Sequence, residues 1–126
     1  MTLYKYTKTI TVDASGDASV DFAPMNGKLL SIQYRKASSG GYANGVDFVV
    51  TNKRSGEVVW QEANVNASKI VYPNRPSNNS DGTPLANGVG TTGIFDYFFL
   101  IDDIINIVVD EGGNATTGDF TIVYES

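Results

Sequence analysis

The chain has no cysteine and no histidine in its 126 residues, and these two absences remove many familiar routes to catalysis. Without cysteine there can be no disulfide framework, thiolate zinc site, iron–sulfur cluster or cysteine nucleophile. Without histidine, a Ser-His-Asp triad, an imidazole general base and the common zinc hydrolase sites are out of reach. Positive charge is scarce too: nine basic residues against fourteen acidic ones give a formal charge of −5. That sign opposes non-specific binding to nucleic acid or anionic membrane, which needs a clustered basic surface. Long apolar runs are also missing. The most apolar stretch, "IFDYFFLIDDIINIVV" at 94–109, is broken by Asp96, Asp102 and Asp103, and a membrane helix needs about 20 apolar residues. The amino-terminal "MTLYKYTKTITV" lacks the basic-then-apolar order of a signal peptide. The expectation is a soluble single domain over residues 1–126, long enough to bury a core without staples.

What is present is alternation with a period of two. Tyr4, Tyr6, Ile10 and Val12 fall on one face of the first segment, with Lys8 as the one misfit. Ala18, Val20 and Phe22 follow, then Leu30, Ile32 and Tyr34, then Val46, Phe48 and Val50. Val58 and Trp60, Ile70 and Tyr72, Ile105, Ile107 and Val109, and finally Phe120, Ile122 and Tyr124 complete the set. Such alternation marks strands with one face buried and the other wet. The stretches "ASGD" (14–17), "MNG" (25–27), "NKRSGE" (52–57) and "DEGGNATTGD" (110–119) read as hairpin connections between them. No segment carries a helical period with caps. The fold expected is all-β, an antiparallel β-sandwich or flattened barrel of jelly-roll type, with eight to nine short strands. Two stretches break the rhythm: "KASSGGYANG" (36–45), with Tyr42 as its only aromatic, and "YPNRPSNNSDGTPLANGVGTTG" (72–93). A loop as long as the second is usually functional or ordered by a partner, though it can also be a plain surface loop.

Three groups of residues could carry chemistry, and each has a plainer explanation. "DEGGNATTGDF" resembles a phosphate loop only in its glycines; it has no lysine and leads into a strand rather than a helix. Asp110, Glu111, Asn114 and Asp119 offer oxygen ligands for calcium, but not in the order of an EF-hand. Glycine and asparagine there serve equally to give a turn its positive φ. Asp102 and Asp103 could be paired carboxylates, yet neighbours on a strand point to opposite faces. Asp13 and Asp17 could share a cation, or simply flank a Ser-Gly turn. Among the aromatics, Trp60 is in register with Val58 and belongs to the core, which leaves Tyr42 as the exposed contact of a sugar platform. "IFDYFFL" has aromatics on both faces, so that strand is buried on both sides or half covered by another subunit.

Four stretches together, "GKLLSIQYRK", "GVDFVVTNKRSGEVVWQEANVNAS", "YPNRP" and "INIVVDEGGNATTGDFTIVYE", resemble a group of small β proteins encoded among the virion structural genes of tailed bacteriophages. The positions that carry the resemblance are Ile32, Gln33 and Tyr34; Asp47, Phe48 and Thr51; Trp60; Asn64, Asn66, Ala67 and Ser68; Pro73; and Gly112, Gly113, Thr117, Gly118 and Phe120. They span residues 27–124, but the segment 76–103 does not follow the pattern, and Ile105 to Ile107 lacks a basic residue that the pattern carries. The resemblance implies a non-enzymatic virion protein of the phage head, made in the bacterial cytoplasm and needing no cofactor. Its implied role is that of a cement or decoration protein, with the neck or tail as the alternative placement. The partners implied are the major capsid protein and further copies of the chain, as a homotrimer or other homo-oligomer, with no nucleic acid and no membrane. Expected contact residues are Tyr4 and Tyr6 on the first strand, Tyr42, and Arg75, Pro76 and Pro84 of the long loop. A carbohydrate-binding β-sandwich module, using Tyr42 and the acidic turns, is the competing reading. A small enzyme using only carboxylates, hydroxyls and lysines is the third.

Overall fold

The computed structural model describes residues 2–76 and 95–126. In chain order the strands are β1 (Leu3–Thr11), β2 (Ala18–Asp21), β3 (Met25–Lys36), β4 (Asp47–Asn52), β5 (Val58–Glu62) and β6 (Lys69–Val71). They continue with β7 (Arg75–Pro76), β8 (Phe95–Asp96), β9 (Phe98–Asp103), β10 (Ile105–Asp110) and β11 (Thr117–Glu125). A five-stranded sheet has the order β1-β11-β3-β6, with β9 paired to the other end of β3. A four-stranded sheet has the order β2-β10-β4-β5, and among the described residues β7 pairs only with β8. All pairings between these strands are antiparallel. The fold is therefore a two-sheet β-sandwich. The barrel alternative is corrected, because the two sheets do not join into one closed ring.

The chain crosses between sheets at most of its turns, and this corrects three of the four expected hairpins. "NKRSGE" is a true hairpin between β4 and β5, closed by Asn52 N–H to Glu57 O at 2.8 Å. "ASGD" and "DEGGNATTGD" instead carry the chain from one sheet to the other, since their flanking strands never pair. "MNG" is not a turn at all but the start of β3, where the register against β9 slips between Met25 and Gly27. Gly27 has φ of +128°, and a Cβ on it would sit 1.8 Å from the carbonyl oxygen of Glu125. Only glycine fits so close a backbone approach.

Between the sheets lies one apolar core, centred on Phe48. Its ring meets those of Tyr34 at 4.8 Å, Phe120 at 5.0 Å and Trp60 at 5.5 Å, all within the range of favourable aromatic pairs. Trp60 is buried as the alternation implies. Two bulges move the inward set by one residue, an outcome that follows from the period of two. Leu30 is the extra residue between Ser31, opposite Val123, and Leu29, opposite Tyr124, so Leu29 rather than Leu30 is fully buried. Val59 is the extra residue between Trp60 and Val58, and it takes the inward place while Val58 stays 50% exposed. In β6 the pattern runs opposite to expectation: Val71 packs on the core and Ile70 faces out. Lys8, the misfit of β1, is accommodated by lying over the Phe22 ring at 5.5 Å and donating from Nζ to Asp21 O at 2.9 Å. Its stem covers apolar surface and its charge reaches a carbonyl.

Two buried tyrosines carry opposite stability predictions. The Tyr42 hydroxyl donates to Ile10 O at 2.6 Å, whereas the stacked Tyr34 hydroxyl is buried with no partner among the described residues. A satisfied buried hydrogen bond is worth about 1 kcal/mol net, and an unpaired buried group costs about 1–3 kcal/mol. Tyr42→Phe is thus expected to lower unfolding stability by about 1–2 kcal/mol, and Tyr34→Phe to leave it unchanged or raise it by about 1 kcal/mol. Urea titration of the two variants checks the signs. Equal losses would refute the assignment.

Candidate functional site

The glycine-rich loop at 110–119 is a structural joint. Asp13 to Asp17, the residues around Tyr42, and residues 111–116 meet at one end of the sandwich and are tied by backbone bonds. Gly112 N–H donates to Gly16 O at 2.9 Å, Ala43 N–H to Gly112 O at 2.8 Å, Ala115 N–H to Asp13 O at 3.1 Å and Thr117 N–H to Gly40 O at 2.9 Å. A Cβ on Gly16 would stand 2.7 Å from Gly113 N, so the loops touch backbone to backbone. Asp13 Oδ1 accepts from Ser15 N–H and Asp17 N–H, which makes it the organiser of its own turn.

The four oxygen ligands proposed for calcium do not converge. Asp119 accepts from the Thr9 hydroxyl at 2.6 Å on the outer face of the five-stranded sheet, while Asp110 hydrogen-bonds with Asp17. Among the described residues no three carboxylates stand close enough to hold a metal ion. The Asp110 hydrogen bond holds the Asp17 carboxyl above its ordinary value of 3.8, with loss of hydration and the charges of Asp110 and Asp13 adding to the effect. A group whose folded pKa is raised stabilises fully below its unfolded pKa and loses that contribution as pH rises through the folded value. Asp17→Asn keeps a donor for Asp110 and removes a charge. It is expected to raise the melting temperature at neutral pH, with the gain vanishing near pH 3. A gain that persists in acid would remove this explanation.

Asp102 and Asp103 do not act as a pair. Asp103 is buried and accepts from Arg54 N–H and Ile104 N–H, both at 2.8 Å, so it fixes the step from β9 to β10. Asp102 is exposed, has φ of +46° and meets Arg54 at 3.2 Å. The carboxylates are separated by a break in the strand rather than by its alternation: Ile101 and Asp102 are both exposed, Asp102 takes a positive φ, and Asp103 turns inward.

The expected contact residues divide. Tyr4 is 45% exposed on the edge strand β1 and stacks on Tyr124 at 5.2 Å; Tyr6 is half-buried, edge-on to Phe22 at 5.3 Å. Tyr42 is corrected: at 2% exposure it belongs to the core, and burial pushes its phenol well above the ordinary value. Its polar, glycine-rich surroundings suggested a surface residue, but they fold back over the ring. Arg75 is half-buried in β7, with Nε 3.4 Å from Glu57. Pro76 pairs with Phe95 in the β7–β8 ladder, and Pro84 lies outside the described residues, as does the long loop beyond residue 76.

The surface that sequence reasoning located only in part is the outer side of β9. Phe99 and Ile101 are 45% and 82% exposed there, and Tyr97 (44%) lies under the ammonium of Lys28 at 5.7 Å. The signal was present in "IFDYFFL", whose aromatics fall on both faces: Phe98 and Leu100 enter the core, Phe99 and Ile101 do not. Tyr72, 67% exposed, shares a shallow depression with Pro73, Asn74, Asp96 and Tyr97.

The fold is an all-β sandwich of two antiparallel sheets with an exposed apolar strip along β9. No family model matches the chain, and no curated protein matches it in sequence. Among solved structures, the crystal structure of FLHE is similar at 8% identity, a TM-score of 0.45 and coverage of 98% of each chain. The structure of infectious bursal disease virus, Gx strain, is similar at 12% identity and a TM-score of 0.25, over 98% of this chain and 37% of that one. Likenesses this distant carry neither family nor function.

Proposed function

We propose that the chain is a non-enzymatic structural protein of a virus particle: a cement or decoration protein that binds the assembled head of a tailed bacteriophage. The observation that carries this reading is the exposed apolar set of Phe99 and Ile101 on β9 with Tyr97 just before it, on a sandwich whose polar loops are tied to one another. Exposed apolar clusters of this kind mark protein contacts. The residues behind the phage resemblance, among them Tyr34, Phe48, Trp60, Gly118 and Phe120, build the core, so the resemblance speaks to scaffold while β9 speaks to contact. A shell-binding protein needs a rigid body and an adhesive face, and no chemistry.

Purified capsids stripped of this protein provide the test. Wild type should co-sediment with them, and Phe99→Asp with Ile101→Asp should abolish binding while leaving the melting temperature within a few degrees. Unchanged binding by the folded double variant would overturn the role of β9. A second reading, a carbohydrate-binding module, loses Tyr42 to the core but is favoured by Tyr72 and Tyr97 flanking Asn74 and Asp96. Glycan-array binding lost in Tyr72→Ala, with no capsid binding, would replace the first reading by the second.

A further inference from the structure

We propose that the outer face of the five-stranded sheet carries a binding site for a small hydroxylated monocarboxylate, of the class of a single uronic acid unit. The pairing of β1, β11 and β3 sets Thr9, Asp119 and Arg35 in one row and Thr7, Thr121 and Gln33 in the next, with Lys5 one row further along β1. Residues two apart on a strand share a face, so these side chains form one patch. Its centre is short, with Thr7 and Thr121, and two opposite corners are long, with Lys5 and Arg35. The result is a depression of about 160 Å³, lined by Lys5, Arg35, Gln33 and Asp119 around the two threonines.

The cations of this patch are the ones the fold leaves idle. Of the nine basic residues, four meet carboxylates, Lys8 and Lys36 donate to backbone carbonyls, and Lys28 lies over the Tyr97 ring. Lys5 and Arg35 have no such partner among the described residues, and both line the depression. Arg35 stands opposite Asp119 without an ion pair, because Asp119 takes the Thr9 hydroxyl at 2.6 Å instead. Either cation alone would be an ordinary solvated surface group. Here the two share one concavity with further hydrogen-bonding groups.

Charge and donor chemistry select the ligand. Lys5 and Arg35 against Asp119 leave one net positive charge, which matches a carboxylate rather than a phosphate dianion. The Thr7 and Thr121 hydroxyls lie 3.0 Å apart, so one donates to the other and one proton stays free for a ligand oxygen. Asp119 only accepts, and the Gln33 amide both donates and accepts, so the rim suits hydroxyl groups beside the carboxylate. Among the described residues no aromatic ring lines the site, so a neutral sugar gains no stacking there. The depression is smaller than the about 300–1,000 Å³ typical of drug-sized ligands, and one sugar-acid unit is the scale that suits it. A free acid and the end of an acidic polysaccharide present the same chemistry. The site lies away from β9, and this inference does not rest on the shell-binding reading.

Backbone amide shifts of the full chain during titration with sodium glucuronate, to about 50 mM, test the site. Saturating shifts at Thr7, Gln33 and Thr121 are expected, with a Kd of about 1–10 mM. Glucose, which lacks the carboxylate, and acetate, which lacks the hydroxyls, should each bind at least about fivefold more weakly. Lys5→Gln and Arg35→Gln, both at exposed positions, should keep the wild-type melting temperature and each weaken glucuronate at least about fivefold. Asp119→Asn should strengthen binding of inorganic phosphate, since the depression then carries two net positive charges. Galacturonate and its trimer distinguish the sources: tighter binding of the trimer assigns the site to a polysaccharide, and equal or weaker binding to the free acid. No saturable shift with glucuronate, equal binding of glucose, or binding indifferent to both cation variants would overturn the proposal.

Discussion

Phe48→Ala is expected to remove about 3–5 kcal/mol of stability, the usual cost of truncating a buried aromatic. The ring is fully buried and lies against Tyr34, Tyr42, Trp60 and Phe120, which come from both sheets and from the 36–45 segment. Those neighbours are large and stiff and cannot collapse into the space, so the cavity contribution adds to the lost transfer energy. Against a total of about 5–15 kcal/mol for a domain, the variant should be partly unfolded or melt far below wild type. In urea the midpoint should fall with little change in slope. Phe99→Ala is the control: its ring is exposed on β9, and its stability cost should stay within about 0.5 kcal/mol. Similar losses for the two would mean that Phe48 is not the centre of the core.

Gly118→Ala is the second large effect, and here two physical contributions compete. Glycine inside a strand is ordinarily worse than alanine by about 0.5–1 kcal/mol, which predicts stabilisation. Here, however, the added Cβ would lie 2.5 Å from Cε2 of Tyr42 and 2.8 Å from Cε1 of Tyr34. The two rings are stacked at 5.8 Å, and Tyr42 is further pinned by its bond to Ile10 O. Neither ring is a flexible end that can swing aside. Overpacking of this kind costs about 1–3 kcal/mol, so the steric effect wins and the variant is destabilised. In a Tyr42→Ala background the penalty should shrink, because that ring supplies two of the three closest contacts. A stabilised single variant, or an unchanged penalty in the double, would reject the argument.

The all-β class and most of the core were legible because alternation is a direct trace of one-sided burial. Ile32, Tyr34, Phe48, Val50, Ile107 and Phe120 are buried where the period places them. Leu30 and Val58 went astray because a bulge adds one residue without leaving a mark in composition, and the period then inverts locally. The hairpin assignments at 14–17 and 110–119 were wrong for a related reason: a turn that reverses the chain within a sheet and one that carries it to the opposite sheet draw on the same Gly, Asp and Asn. Tyr42 shows the limit most sharply. Its neighbours are small and polar, yet they leave room for a ring to enter beside Gly118 and Gly112. The exposed apolar side of β9 was half legible, since "IFDYFFL" places aromatics on both faces of the strand, but nothing local says what meets it.

The central claim, that this chain coats an assembled shell, is tested most directly by its copy number in purified phage particles, measured by quantitative mass spectrometry against the major capsid protein. The account predicts a number comparable to that of the capsid protein. A handful of copies would contradict a cementing role and place the chain at the neck or tail, and complete absence would contradict the virion assignment itself.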